Sequence, residues 1–150
     1  MIKKNIIIIS LILFLNSCGF TPIYLNKNDV KFSIEQVNYS GDRDLNNFLK
    51  MNLDQYKNEK IDNKFSIDAK STYKKIILSK DGTGKVTSYQ LIAEVVFLIK
   101  PNNKKIVVTE KKIIDKMDDN FEENRYERSA KQGFASLMSS KLISELISNK

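Results

Sequence analysis

The chain has 150 residues, 41% of them hydrophobic, and a formal charge of +7, which suits one domain with its own core. It contains no histidine and one cysteine. That composition excludes Ser-His-Asp and Cys-His nucleophilic catalysis, zinc sites built from His and Cys, and any intramolecular disulfide.

The chain opens on a short basic segment, Met1-Ile2-Lys3-Lys4-Asn5, followed over 6–15 by an apolar run interrupted by Ser10. Spanning a bilayer takes about 20 apolar residues, so the run reads as a secretory signal and not as an anchor helix. It exits through Leu15-Asn16-Ser17-Cys18, which resembles the lipobox of bacterial lipoproteins. Cys18 is the expected lipid-attachment site; an ordinary secretory signal with a chance cysteine is the alternative. Cleavage after Ser17 removes Lys3 and Lys4 and takes the formal charge from +7 to +5. That surplus suits an acidic partner such as phosphate-bearing lipid. A composition rich in Lys, Asn and Ile throughout accounts for it equally well.

Residues 1–17 are therefore expected to be a signal peptide, 18–29 a lipidated tether, and 30–150 one folded domain. A first strand is expected over 30–37, with Val30, Phe32 and Ile34 facing one way. Ser40-Gly41-Asp42 ends it, and Asp42 is a plausible N-cap. Leu45, Phe48, Leu49, Leu53 and Tyr56 then form one face of a helix ending near Asn58. In the second strand Phe65, Ile67, Ala69, Ser71 and Tyr73 share a parity, which Ile76 and Leu78 break. A bulge is therefore expected near Lys74-Lys75. Lys80-Asp81-Gly82-Thr83-Gly84-Lys85 is a hairpin turn with two glycines to supply positive φ.

The third strand, 86–99, carries Tyr89, Leu91, Ala93, Val95, Phe97 and Ile99 on one face. Its other face is polar at first and apolar later, which suggests that its far end is covered too. A turn at Pro101-Asn102-Asn103-Lys104 leads to a fourth strand over 105–114. After an acidic loop, a long helix is expected from about Asn124 to Ser148. Its apolar residues form two lines, Tyr126, Ala130, Phe134 and Leu137 beside Ala135, Met138, Leu142 and Leu146. Either the helix wraps a twisted sheet, or its C-terminal half offers apolar surface to a partner. The order β-α-β-β-β-α gives an α+β fold: a two-layer α/β sandwich, with a four-stranded mixed sheet and two helices on one face.

Three segments carry a family resemblance: Cys18-Gly19-Phe20-Thr21-Pro22-Ile23-Tyr24, Gly84-Lys85-Val86-Thr87-Ser88-Tyr89-Gln90-Leu91, and Asn124-Arg125-Tyr126-Glu127-Arg128-Ser129-Ala130. In this order the chain resembles the LPS-assembly lipoprotein family LptE, especially its alphaproteobacterial branch. The resemblance implies a non-enzymatic lipoprotein anchored on the periplasmic side of the outer membrane. It implies a plug in the β-barrel LPS translocon, an LptD-like partner, that helps the barrel assemble and assists lipopolysaccharide insertion into the outer leaflet. It also implies the two-layer sandwich. Where the family's strand entry often has Arg, this chain has Thr87 or Ser88, so no lipid-binding arginine carries over.

Holding a phosphorylated amphiphile calls for cations at phosphate and apolar groups at the tails. Lys74, Lys75, Lys80 and Lys85 are the LPS-binding candidates, with Lys104 and Lys105 as second choices; solvated loop lysines are the bland alternative. The hairpin arms, about 13 residues each, would reach about 40 Å at 3.3 Å per residue. No metal, cofactor or nucleic acid is expected. A generic envelope scaffold for β-barrel assembly, without lipid ligand, is the alternative function. A carboxylate hydrolase built on Asp115, Asp118, Asp119, Glu122 and Glu123 is a distant third.

Overall fold

The structure, a computed structural model, describes residues 31–148. The signal peptide, Cys18 and the tether lie outside the described residues. Strand β1 (Ser33–Gly41) leads through helix α1 (Arg43–Leu53) and a 3-10 turn (Asp54–Tyr56) to β2 (Lys64–Lys80), β3 (Val86–Lys100), β4 (Lys104–Asp115) and helix α2 (Asn120–Ser148). The sheet order is β1-β2-β3-β4; β1 and β2 are parallel and the other neighbours antiparallel. Both helices lie on one face and pack against each other, giving the expected sandwich.

β1 runs to Gly41, four residues past the expected end. A register shift between Ile34 and Gln36 places a bulge at Glu35. The bulge reverses the alternation, so Ile34 is buried and then Val37 and Tyr39, not the even residues, pack on the core. Gly41 closes the strand with φ +100°, and a Cβ there would fall 1.8 Å from the Ser71 carbonyl oxygen. Only glycine permits that approach. Asp42 is the N-cap of α1: its Oδ1 accepts from the Leu45 N–H at 2.8 Å. Leu45, Leu49 and Leu53 are buried one turn apart, with Phe48 and Tyr56 packed beside them. Each such leucine contributes about 1.5–3 kcal/mol of burial.

The β2–β3 register is unbroken from Ser66↔Lys100 to Ile77↔Tyr89, so the bulge expected at Lys74-Lys75 is absent. The irregularity falls at Ser79 instead. The apolar run 76–78 gave the false signal: Ile76 and Leu78 stay on the helix-free face, 42% and 46% exposed. Lys75 takes the helix-facing position. In the turn, Gly84 alone adopts positive φ (+86°); Gly82 does not. The inward residues of β3, from Leu91 to Ile99, are buried at every second position and meet Ile106 and Val108 of β4.

Helix α2 begins four residues before the expected start. Asp119 Oδ1 accepts from the Phe121 N–H at 2.7 Å and caps it. Ala135, Met138, Leu142, Ile143 and Leu146 are buried, while Leu137 is 57% exposed and Tyr126 38%. The helix therefore wraps the sheet. The apolar surface of its C-terminal half is used in the core, which corrects the reading that offered it to a partner.

Candidate functional site

Parallel pairing of β1 with β2 sets the polarity of the domain. The start of β1, the end of α1 and the β3–β4 turn share one end of the sheet; the β2–β3 turn and the start of α2 share the other. The chain enters the fold at Ser33, so the hairpin tip lies 17 residues of β2 away, roughly 55 Å at 3.3 Å per residue.

The tip is built around Asp81. Its Oδ1 accepts from the Thr83 N–H at 2.9 Å, the Thr83 hydroxyl at 2.7 Å and the Lys85 N–H at 3.0 Å. The bonds from Thr83 hold its carboxyl below the usual carboxylate range. This ordered turn presents Lys80 and Lys85, both exposed, on either side of it. Just below are Ile76, Ile77 and Leu78, each at least 42% exposed. Cations at a tip above bare aliphatic side chains can meet a phosphorylated amphiphile head first.

The other candidates do not join this pair. Lys74 lies on the helix-free face, opposite Ile92. Lys75 points the other way, under α2: its Nζ is 2.7 Å from Glu123 Oε1, 3.0 Å from Glu127 Oε2 and 4.5 Å from the Tyr89 ring centre. Burial opposes its charge, but the two carboxylates outweigh that and leave its pKa raised. Lys104 binds Glu145 at 2.8 Å at the far end of the sheet, and Lys105 is exposed on the helix-free face.

Among the described residues Glu123 is the most enclosed carboxylate, 6% exposed. It accepts from Lys75, from Lys116 at 3.0 Å and from the Met117 N–H at 3.1 Å. Burial favours its neutral form, yet these bonds pull it down from 4.5 to about 2. Together with Asp119 at the helix cap, Glu123 gives the acidic loop a structural role. Among the described residues no cluster of three or more His, Cys, Asp or Glu could hold a metal ion. No described helix is long and apolar enough to cross a membrane.

A second internal network was not visible in the sequence. Lys131, 9% exposed, reaches Asp42 at 3.1 Å and Asp44 at 3.6 Å, and lies 4.2 Å from the centre of the Tyr73 ring. It locks α2 to the N-terminus of α1. Its position on the helix gave no signal, because a lysine there reads as solvent-facing until α1 is in place. Beside it an open groove of about 500 Å³ runs between the helices, lined by Phe121, Arg125 and Arg128 among others.

No family model matches the chain, and no curated protein does. Solved structures do. Rare lipoprotein B from Shewanella oneidensis superposes with a TM-score of 0.56 at 15% identity, over 75% of this chain and 94% of that one. A minor lipoprotein from Acinetobacter baumannii gives 0.51 at 15% identity, over 73% and 93%. Lipoprotein B from Nitrosomonas europaea gives 0.52 at 16% identity, over 76% and 83%. This chain has the fold of these bacterial lipoproteins.

Proposed function

We propose that the protein is an outer-membrane lipoprotein, held at the periplasmic face by lipid on Cys18. In this reading it plugs and helps assemble a β-barrel translocon of the LptD type and assists lipopolysaccharide insertion into the outer leaflet. One observation carries the proposal: a domain with the lipoprotein fold follows a segment ending Leu15-Asn16-Ser17-Cys18. The arrangement of the domain supports it. The start of β1 lies at one end, and the cationic tip with its exposed aliphatic residues stands at the other. Two or more acyl chains on the cysteine suffice for stable attachment.

Depletion of the protein in cells tests this reading. Surface-exposed lipopolysaccharide and folded barrel are both expected to fall, with rescue by the wild type and not by Cys18→Ser. Undiminished surface lipopolysaccharide after depletion would reject it. Loss of the barrel without binding of lipopolysaccharide by the purified protein would leave the scaffold role alone.

A further inference from the structure

The hairpin tip carries two lysines and one carboxylate within the segment from Lys80 to Lys85. On an exposed loop, Coulomb attraction alone would turn Asp81 onto Lys80 or Lys85 and occupy one of them. The tip is built otherwise. Neither lysine makes an ion pair among the described residues. The Asp81 carboxyl faces the loop, where Oδ1 takes the Thr83 N–H, the Thr83 hydroxyl and the Lys85 N–H.

The backbone closes the same ring. The Asp81 N–H donates to the Lys85 carbonyl at 2.9 Å, and the Gly84 N–H to the Asp81 carbonyl at 3.0 Å. Lys85 is thus tied to Asp81 through both its N–H and its carbonyl. Lys80 precedes Asp81 in the chain and pairs with Val86, so both lysines are fixed to the same residue. At the base, where the β2–β3 register shifts, the Ser79 hydroxyl lies 2.6 Å from those of Thr87 and Ser88.

Packing does not account for this order. A Cβ added at Gly82 or Gly84 would meet nothing within 4 Å, so the loop has open space around it at both glycines. The order acts on the lysines instead. A lysine is a point charge on a flexible four-carbon stem. Two of them on a fixed backbone bind one oxyanion at a smaller loss of freedom than two on a loose loop.

We infer that Asp81 is a positioning residue for anion binding: its carboxyl fixes the turn so that Lys80 and Lys85 act as one pair on a phosphate oxyanion. The inference rests on the proposed function, in which this tip meets a phosphorylated amphiphile. Two opposed effects give it a sign. Lys80, Lys85 and Asp81 together carry +1, and Asp81→Ala raises the tip to +2. Were charge alone to govern the tip, that variant would bind phosphate more tightly. With the carboxyl setting the geometry, binding weakens despite the added charge.

Capture of bis-phosphorylated lipid A by the full-length lipidated protein in detergent, beside lipid A stripped of both phosphates, reads the difference. Asp81→Ala is expected to weaken capture of the phosphorylated form about fivefold or more and to leave the stripped form unchanged. Asp81→Asn keeps a side-chain acceptor without the charge and should hold capture within about twofold of wild type, or improve it. Gly84→Ala strains the turn at φ +86° without changing charge, and should lose capture in the same way. Unchanged or tighter capture by Asp81→Ala would overturn the inference. So would full capture by Gly84→Ala, or equal losses on both lipids, which mark a disrupted hairpin. Equimolar inorganic phosphate is expected not to displace the lipid; displacement would assign the pair to free phosphate and overturn the lipid ligand. Equal capture of both lipids by the wild type, or undiminished capture by Lys80→Glu with Lys85→Glu, would instead reject the tip as the phosphate site of the proposed function.

Discussion

Lys75 Nζ lies 2.7 Å from Glu123 Oε1, joining the middle of β2 to the first turns of α2. A lysine that sequence pattern offers to a ligand is thereby committed to the fold. Removing Glu123 leaves the Met117 N–H without its acceptor, Lys116 with the Met117 carbonyl and Asn120 Oδ1, and Lys75 with Glu127 and the Tyr89 ring. Glu123→Ala is expected to cost about 3 kcal/mol, the low end of the range for breaking an enclosed ion pair. Urea unfolding measures it, and a loss below about 0.5 kcal/mol would show that the network is not a clamp.

The same carboxyl sets a pH dependence. Its folded pKa of about 2 lies below the ordinary 4.5. A depressed carboxyl contributes stability fully present above pH 4.5, lost progressively as the pH falls through 2. The difference in Tm between wild type and Glu123→Gln should therefore be constant near neutrality and shrink as the pH drops below 4.5. A gap that stayed constant down to pH 2 would place the carboxyl's stabilisation elsewhere.

Gly41→Ala places a methyl group against the Ser71 carbonyl at a backbone φ of +100°. The β1–α1 corner must open or the β1–β2 pairing must yield. A loss above about 3 kcal/mol, or failure to fold, is expected. Thermal unfolding within 1 °C of wild type would mean that the corner adapts freely.

Lys131 and Asp42 join the two helices, and Asp42 also caps α1. Asp42→Asn should keep most of the cap, since asparagine caps as well as aspartate, while removing the charge. A double-mutant cycle with Lys131→Met is expected to give a coupling of about 1–2 kcal/mol. A coupling near zero would leave Lys131 held by Asp44 and the Tyr73 ring.

At the tip, Lys80→Glu with Lys85→Glu should weaken capture of phosphorylated lipid A about tenfold or more, at about 1 kcal/mol per charge near an anionic surface. Lys75→Met should lower stability and leave capture by the folded protein unchanged. Equal losses in both variants would point to a misfolded hairpin and not to a binding tip.

Much of this architecture was legible in the residues. The helix face of Leu45, Leu49 and Leu53, the Asp42 cap and the odd face of β3 follow from spacing, because burial on one side imposes a strict period. The errors share a cause. Glu35 is the extra residue of a bulge that no local pattern marks, so the alternation of Phe32 and Ile34 does not continue to Val37 and Tyr39. Ile76 and Leu78 look like core but lie on the bare face, which moved the expected bulge from Ser79 to Lys74-Lys75. Lys75 and Lys131 look like surface but are enclosed by partners 48 or more residues away in sequence. Periodicity reports whether a side chain is apolar; which face gets covered is a tertiary matter.

The most direct measurement is affinity purification of the lipidated protein from outer membranes, with mass spectrometry of what accompanies it. One large β-barrel at a fixed ratio to the bait is expected, and its loss with Cys18→Ser. Purification of the intact lipoprotein with no barrel, or with many unrelated envelope proteins in varying amounts, would contradict a dedicated plug.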